Sequence, residues 1–385
     1  MKYMLVAGEA SGDLHASTLI DSLKKLDPEA EFRFIGGDLM TASTRKSPDI
    51  HIEQLNVMGF SEVIRSLPRI LGNLKKVKRI ITGYRPDVLI LVDYPGFNLK
   101  LAKFAHRYGV RVDYFISPKI WAWKEWRVKS IKKYVDNMYS ILPFEVGFYK
   151  KHSYAVKYVG NPSVQEIDHA MGHIPPLKHF MERQGFTDTD KEKPLIALLP
   201  GSRKGEIRNN LPVMIEAARK FPEYNYAVAA APNIPEKFYR EVAQDQGLQV
   251  IFGATPVLLK YSKAALVTSG TATLETALIG TPQVVCYRAN GSRLSYRIME
   301  KLLKVKYVSL PNLIAANSIV PEMLLHNCTP EKVARELEPL LQHSPKREWQ
   351  LSGYRNIKRK LGNSIASDYV AELIVNSLKN NQITT

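Results

Sequence analysis

The chain is predicted to be an α/β protein built as two doubly wound, Rossmann-like domains facing a central cleft, followed by C-terminal helices. Short apolar runs alternate with amphipathic stretches along most of the sequence, which is the pattern of parallel sheets. The alternation breaks between Gly160 and Lys193 and then resumes. At 385 residues the chain also exceeds the size at which one hydrophobic core stops growing.

In order, Tyr3–Ala7, Phe32–Ile35, Val88–Val92, Val112–Ile116 and Met138–Leu142 read as strands of the first domain. Val88–Val92 is apolar throughout and suits a central strand covered on both faces. Gly160-Asn161-Pro162, Pro175-Pro176 and the polar run Thr187–Lys193 mark the linker region. Leu195–Leu199, Tyr226–Ala230, Gln249–Phe252, Ala264–Val267 and Gln283–Cys286 then repeat the strand pattern. From Pro330 to Leu378 the strand pattern is gone and two or three helices are expected, the last with apolar spacing at Tyr369, Leu373 and Leu378. These bounds give a first domain at 1–175, a second at 190–330, and helices at 331–385 that pack back on the first domain or on a partner subunit as a homodimer.

Composition narrows the function. With 45% hydrophobic and 24% charged residues the chain is ordinarily globular. Cys286 and Cys328 are the only cysteines, which excludes a disulfide framework and a cysteine-rich zinc site and fits a reducing compartment. The first apolar run is too short for a signal peptide, and no run approaches the roughly 18–20 residues of a membrane span, so a cytoplasmic protein is expected. The formal charge of +17 calls for an anionic partner: nucleic acid, a membrane surface or a phosphorylated substrate. Zinc-finger spacing, RNP-type aromatics and basic heptads are all missing, so no nucleic acid is expected as partner. Metal-ligand spacing is missing too, and no protein-held metal or cofactor is expected.

Four motifs carry chemistry. Gly8-Glu9-Ala10-Ser11-Gly12-Asp13 follows the first strand into a helix, and its two carboxylates make it either a site of chemistry or only a tight turn. Asp93 ends the central strand, where it is placed either for general-base work or to cap the next helix. In the second half, Pro200-Gly201-Ser202-Arg203 ends a strand with a cation suited to bidentate phosphate contact. Ser269-Gly270-Thr271 opens a helix whose free amides and dipole favour a pyrophosphate, and Glu275, one turn on, suits ribose hydroxyls. Dinucleotide and P-loop fingerprints are missing, which leaves a nucleoside diphosphate held by Arg203 and the Gly270 helix. Asn312, in Pro311-Asn312-Leu313, is a candidate ligand amide or a turn former.

Two stretches are candidate membrane-facing surfaces. In the first, Ile70, Leu71, Leu74, Val77 and Ile81 share a helical face opposite Arg69, Lys76 and Arg79, with Pro68 in the first turn. The second places Trp121, Trp123 and Trp126 among lysines and arginines. Packing of both on the sheet is the competing reading.

The motifs above, with Val57-Met58-Gly59, Ser117-Pro118, Leu142-Pro143-Phe144-Glu145 and Tyr307–Leu313, occur in an order that resembles the lipid-A-disaccharide synthases, inverting glycosyltransferases of GT-B architecture. The resemblance implies transfer of 2,3-diacylglucosamine from UDP to the 6-hydroxyl of 2,3-diacylglucosamine 1-phosphate, at the cytoplasmic face of the inner membrane. It implies Asp93 as base and Glu9 as acceptor support or alternative base, with Ser11, Gly12 and Asn98 on the acceptor side. Ser202, Arg203, Gly270, Thr271, Glu275 and Asn312 fall on the donor side, and the UDP-sugar is a substrate rather than a cofactor. A UDP-sugar epimerase and a non-catalytic basic binding protein are the alternatives. The chain departs from the family pattern at Leu14-His15 and at Lys119-Ile120.

Overall fold

The computed structural model describes residues 1–55, 60–187, 193–288 and 306–383, with backbone alone for 60–67 and 381–383. Val57-Met58-Gly59 lies outside the described residues. The chain divides into two compact units, residues 1–162 with 363–385, and residues 163–362.

The first unit runs β1 (Lys2–Ala7), α1 (Ala10–Leu26), β2 (Glu31–Gly36), α2 (Asp38–Thr44), β3 (Ile50–His51), α3 (Phe60–Tyr84), β4 (Val88–Val92), α4 (Pro95–Arg107), β5 (Arg111–Phe115), α5 (Ile120–Trp123), α6 (Val128–Tyr134), β6 (Asn137–Ser140), α7 (Pro143–Lys151) and β7 (Lys157–Tyr158). Its strands form one sheet in the order β3-β2-β1-β4-β5-β6-β7, and every pairing is parallel. All five residues of β4 are buried, because helices cover both faces of the sheet.

Helices α8 (Pro162–Met171) and α9 (Leu177–Arg183) open the second unit. There follow β8 (Leu195–Leu199), α10 (Lys204–Ala218), β9 (Asn225–Ala230), α11 (Glu236–Ala243), β10 (Gln249–Phe252), α12 (Thr255–Tyr261), β11 (Ser262–Thr268), α13 (Thr271–Ile279), β12 (Gln283–Tyr287), α14 (Leu310–Ala315), β13 (Glu322–Leu324), α15 (Pro330–Leu341), α16 (Pro345–Leu361) and α17 (Ala366–Ile383). The second sheet is also parallel, ordered β10-β9-β8-β11-β12-β13. In each sheet the order reverses between a pair of central strands, β1 and β4 or β8 and β11. Ligands bind α/β sheets at the carboxyl ends of such strands.

The three C-terminal helices divide between the units: α15 and α16 belong to the second, and α17 returns to the first. Val370, Ala371, Ile374, Val375 and Leu378 of α17 join Leu19, Ile20 and Leu23 of α1 in one buried cluster. The buried stripe is thus centred one residue beyond the Tyr369–Leu373 spacing, and Tyr369 is exposed. The apolar face of α17 is covered by its own chain.

Helix α3 corrects one sequence expectation. It starts at Phe60, so Pro68 lies inside it rather than in its first turn. Leu74, Val77 and Ile81 are buried against Leu89, Leu91 and Leu101 in the core, which removes them from any membrane-facing surface. Leu71 is exposed, as are Arg69, Lys76 and Arg79, and Lys76 donates through Nζ to the Asp49 carbonyl at 2.8 Å. The period of this helix is therefore that of a helix laid on a sheet, with Arg69, Lys76 and Arg79 on its exposed face.

Candidate active site

In the first unit, Ala7 pairs with Val92, Val92 with Phe115, and Phe115 with Tyr139, so the loops after β1, β4, β5 and β6 emerge side by side. Glu9 stands exposed in the first of these loops, and Ser11 is exposed in the first turn of α1. Gly12 is buried, where a Cβ would sit 3.3 Å from that of Ala7, so its role is close approach of helix to strand. Asp13 is buried and faces the start of α2. Its carboxylate accepts the amides of Gly37 at 2.6 Å, Leu39 at 3.1 Å and Met40 at 3.3 Å, and so caps α2.

Asp93 and Tyr94, after β4, both adopt left-handed backbone, with φ of 44° and 47°. For residues with side chains this conformation costs about 1–2 kcal/mol each, so the surroundings must hold it. The Asp93 amide donates to the Phe115 carbonyl at 3.2 Å, and the Asp93 carbonyl accepts from Asn98 Nδ2 at 2.8 Å and from the Tyr114 hydroxyl. The Tyr94 ring lies over Gly8, where any Cβ would run into it. Asn98 is buried, and its amide also donates to the carbonyls of Val92 at 3.2 Å and Val6 at 3.4 Å. Asn98 is therefore a brace across the ends of β1 and β4, which corrects its expected place against the acceptor.

Burial raises the pKa of the Asp93 carboxyl; Lys119 opposes this, and Glu9 adds to it. Beside this group Glu145 is buried in the first turn of α7, accepting Trp121 Nε1–H at 2.9 Å and the Ser140 hydroxyl. Burial pushes its pKa up to about 7. Trp121 also meets Phe144 edge to face at 5.0 Å, so it faces the protein interior and leaves the expected membrane-facing set. Trp123 and Trp126 remain exposed, at 60% and 66%, with Lys124 and Arg127 over their rings.

In the second unit, Leu199 of β8 pairs with Val267 of β11, which sets the Gly201–Arg203 and Ser269–Thr271 loops side by side. Gly201 takes φ 112°, and a Cβ there would press on the Glu206 carboxylate. That carboxylate accepts the Ser202 amide at 3.1 Å and lies 3.4 Å from the Arg203 guanidinium, which is exposed. Gly270 takes φ 148° at the start of α13, and Thr271 is exposed in its first turn. Glu275 is half-buried, and burial raises its pKa, with Glu166 of α8 adding to the effect.

Asn312 is buried and fully bonded. Its Nδ2 donates to the Val320 carbonyl at 2.9 Å and to Glu322 at 2.8 Å, while Oδ1 accepts the amides of Ile319 at 2.7 Å and Val320 at 2.9 Å. Glu322 also accepts the amides of Val308 and Ser309. Asn312 thus shapes the 308–322 loop, which corrects the expectation of a free ligand amide. Sequence reasoning gave no role to Tyr114, Glu145, Glu206 or Glu322. The Leu142–Glu145 segment carried a usable signal, a carboxylate in the first turn after a strand; Glu322 carried none.

The family model for lipid-A-disaccharide synthetase matches residues 3–374. The lipid-A-disaccharide synthase of Myxococcus xanthus is 39% identical over 383 residues, 98% of this chain and 97% of that protein. That of Nitrosococcus oceani is 38% identical over 386 residues, 97% of this chain and 96% of its own length. Among solved structures, the UDP-GlcNAc 2-epimerase of Neisseria meningitidis bound to UDP-GlcNAc is similar with a TM-score of 0.66 at 14% identity, covering 98% of this chain and 100% of the epimerase. The calicheamicin glycosyltransferase CalG4 is similar with a TM-score of 0.56 at 13% identity, covering 98% of both chains. These structural likenesses show the fold, two Rossmann-like units of the GT-B class. The match from residue 3 to residue 374, with close relatives aligned along almost their entire length, shows that the chain belongs to the lipid-A-disaccharide synthase family.

Proposed function

We propose that this glycosyltransferase of lipid A synthesis moves 2,3-diacylglucosamine from UDP onto the 6-hydroxyl of 2,3-diacylglucosamine 1-phosphate, forming a β-1,6 bond and releasing UDP. The observation that carries the reading is the family match along residues 3–374. Asp93 takes the proton of the acceptor hydroxyl, whose oxygen attacks the anomeric carbon from the face opposite UDP and inverts it. Burial makes Asp93 a stronger base than a solvated carboxylate, and Lys119 partly offsets the rise by favouring the ionised form. Glu9, exposed beside it, binds acceptor hydroxyls, with Ser11 nearby.

The departing UDP gathers negative charge on its pyrophosphate. Arg203, the Ser202 hydroxyl and the amides around Gly270 and Thr271 are the donors suited to it, and Glu275 accepts from the ribose hydroxyls. Both sugars carry acyl chains, so we assign Trp123, Trp126, Lys124 and Arg127 to a peripheral contact with the cytoplasmic face of the membrane.

Incubation of the purified protein with both lipid substrates is expected to release UDP and give a disaccharide 1-phosphate by mass analysis; no product would overturn the reading. Likeness to the epimerase favours a second reading, and turnover of UDP-N-acetylglucosamine without acceptor would support it. Binding to anionic vesicles is expected to weaken in a Trp123→Ala/Trp126→Ala variant, and unchanged binding would remove the membrane assignment.

A further inference from the structure

Between Ser117 and Arg127 the chain has little structure of its own: one four-residue helix, α5, and a single 3₁₀ turn. Such short pieces do not hold themselves in water. Helix α7 holds this one from both sides of Lys119. On one side the Ser117 and Tyr149 hydroxyls are 2.9 Å apart. On the other, Glu145 accepts Trp121 Nε1–H at 2.9 Å, and the indole meets Phe144 at 5.0 Å. A buried carboxylate needs such donors, and Glu145 has two, Trp121 and Ser140. Lys119, bracketed by these contacts, is the cation whose charge acts on both Asp93 and Glu145.

We propose that Glu145 is a positioning residue for the transfer: through Trp121 it clamps the 117–127 segment and thereby keeps Lys119 beside the Asp93 carboxylate. The proposal rests on the reading of Asp93 as the base. The charged and titratable groups that bear on Asp93 are Glu9 from the loop after β1, Lys119 from the loop after β5, Tyr114 of β5 and Glu145 of α7; Arg127 acts on Tyr114, and Tyr149 on α7 feels Glu145. Loss of Lys119 from this set leaves only the Tyr94 backbone N–H to oppose burial and Glu9, so the base would be protonated at higher pH.

The test is the pH profile of kcat for the full chain. Lys119→Met and Glu145→Ala are each expected to move the acid limb upward by about 0.5–1 pH unit, and the double variant to move it no further than Lys119→Met. Glu145 holds its proton through most of the acid range, so Glu145→Gln, which still accepts the Trp121 N–H, is expected to leave the limb in place. Trp121→Phe keeps a ring against Phe144 but loses the donor, and a smaller upward shift is expected; it carries the test if Glu145→Ala does not fold. An activity loss that is equal at all pH values, or shifts that add in the double variant, would overturn the clamp. An Asp93→Asn variant with near-wild-type kcat would instead overturn the base assignment, and the proposal with it; an inactive Asp93→Asn with an unshifted Glu145→Ala limb overturns the clamp alone.

Discussion

At the ends of β1 and β4 the first unit presents two carboxylates, Glu9 and Asp93, whereas at the corresponding ends of β8 and β11 the second presents Arg203 and the backbone around Gly270. The strand order is shared, but the turns are made differently. Asp93 and Tyr94 take left-handed backbone despite their side chains and are held by Asn98 and Tyr114. Gly201 and Gly270 take positive φ without that penalty; Gly270 faces open space, whereas the turn at Gly201 is closed by the Glu206 carboxylate. One fold thus yields a rigidly braced acidic end and an open, cationic, amide-lined one. On the proposed reading the chemistry lies in these loops, and the sheets only aim them.

That contrast predicts a division of labour. Asp93→Asn is expected to lower kcat by about 10²–10⁴-fold, the usual contribution of a general base, while UDP affinity measured by calorimetry stays unchanged. Weakened UDP binding in this variant would break the division. Arg203→Ala is expected to lower kcat/KM for the donor by about 10²-fold, with the KM of the acceptor unaffected. Arg203→Lys recovers only part of this, since an ammonium lacks the bidentate fork.

Asn312 sharpens the comparison on the side of stability. Asn312→Ala leaves the Ile319 and Val320 amides and the Glu322 carboxylate short of partners inside the protein. A loss of about 2–3 kcal/mol is expected in denaturant unfolding. Reduced UDP affinity with unchanged stability would return Asn312 to the ligand.

Much of the fold was legible because long apolar runs have few alternatives. The ten strands expected from sequence all form, and the two-residue β3 and β7 and the three-residue β13 escaped because such short edges carry no periodic signal. Candidate site residues were legible by their place at strand ends but not by their direction. Asp13 and Glu9 flank one loop, yet Asp13 bonds the amides of α2, a contact set by a helix 25 residues further on. Trp121 and Trp123 are neighbours on one short helix, yet only Trp121 finds an acceptor inside, since Glu145 comes from α7. Amphipathic α3 shows the same gap: its period identifies an apolar face, and only the sheet beneath it says what that face covers.

The smallest expected effect compares one buried carboxyl from each unit. Glu145 has a pKa raised from 4.5 to about 7, with burial the main cause. Between those values the folded chain holds a proton that the unfolded chain releases, so this group's contribution to stability is full below about pH 4.5 and declines as pH rises to about 7. In Glu145→Gln that dependence is gone. Melting temperatures of wild type and variant, measured across this range, are expected to diverge in favour of the variant as pH rises and to run parallel above it. Glu275 is raised by the same cause but is half-buried, so Glu275→Gln gives a divergence of the same sign and lesser size. A flat difference for Glu145 would mean that Trp121 and Ser140 hold it ionised, and that the braced acidic end of the first unit carries one more charge than its burial allows.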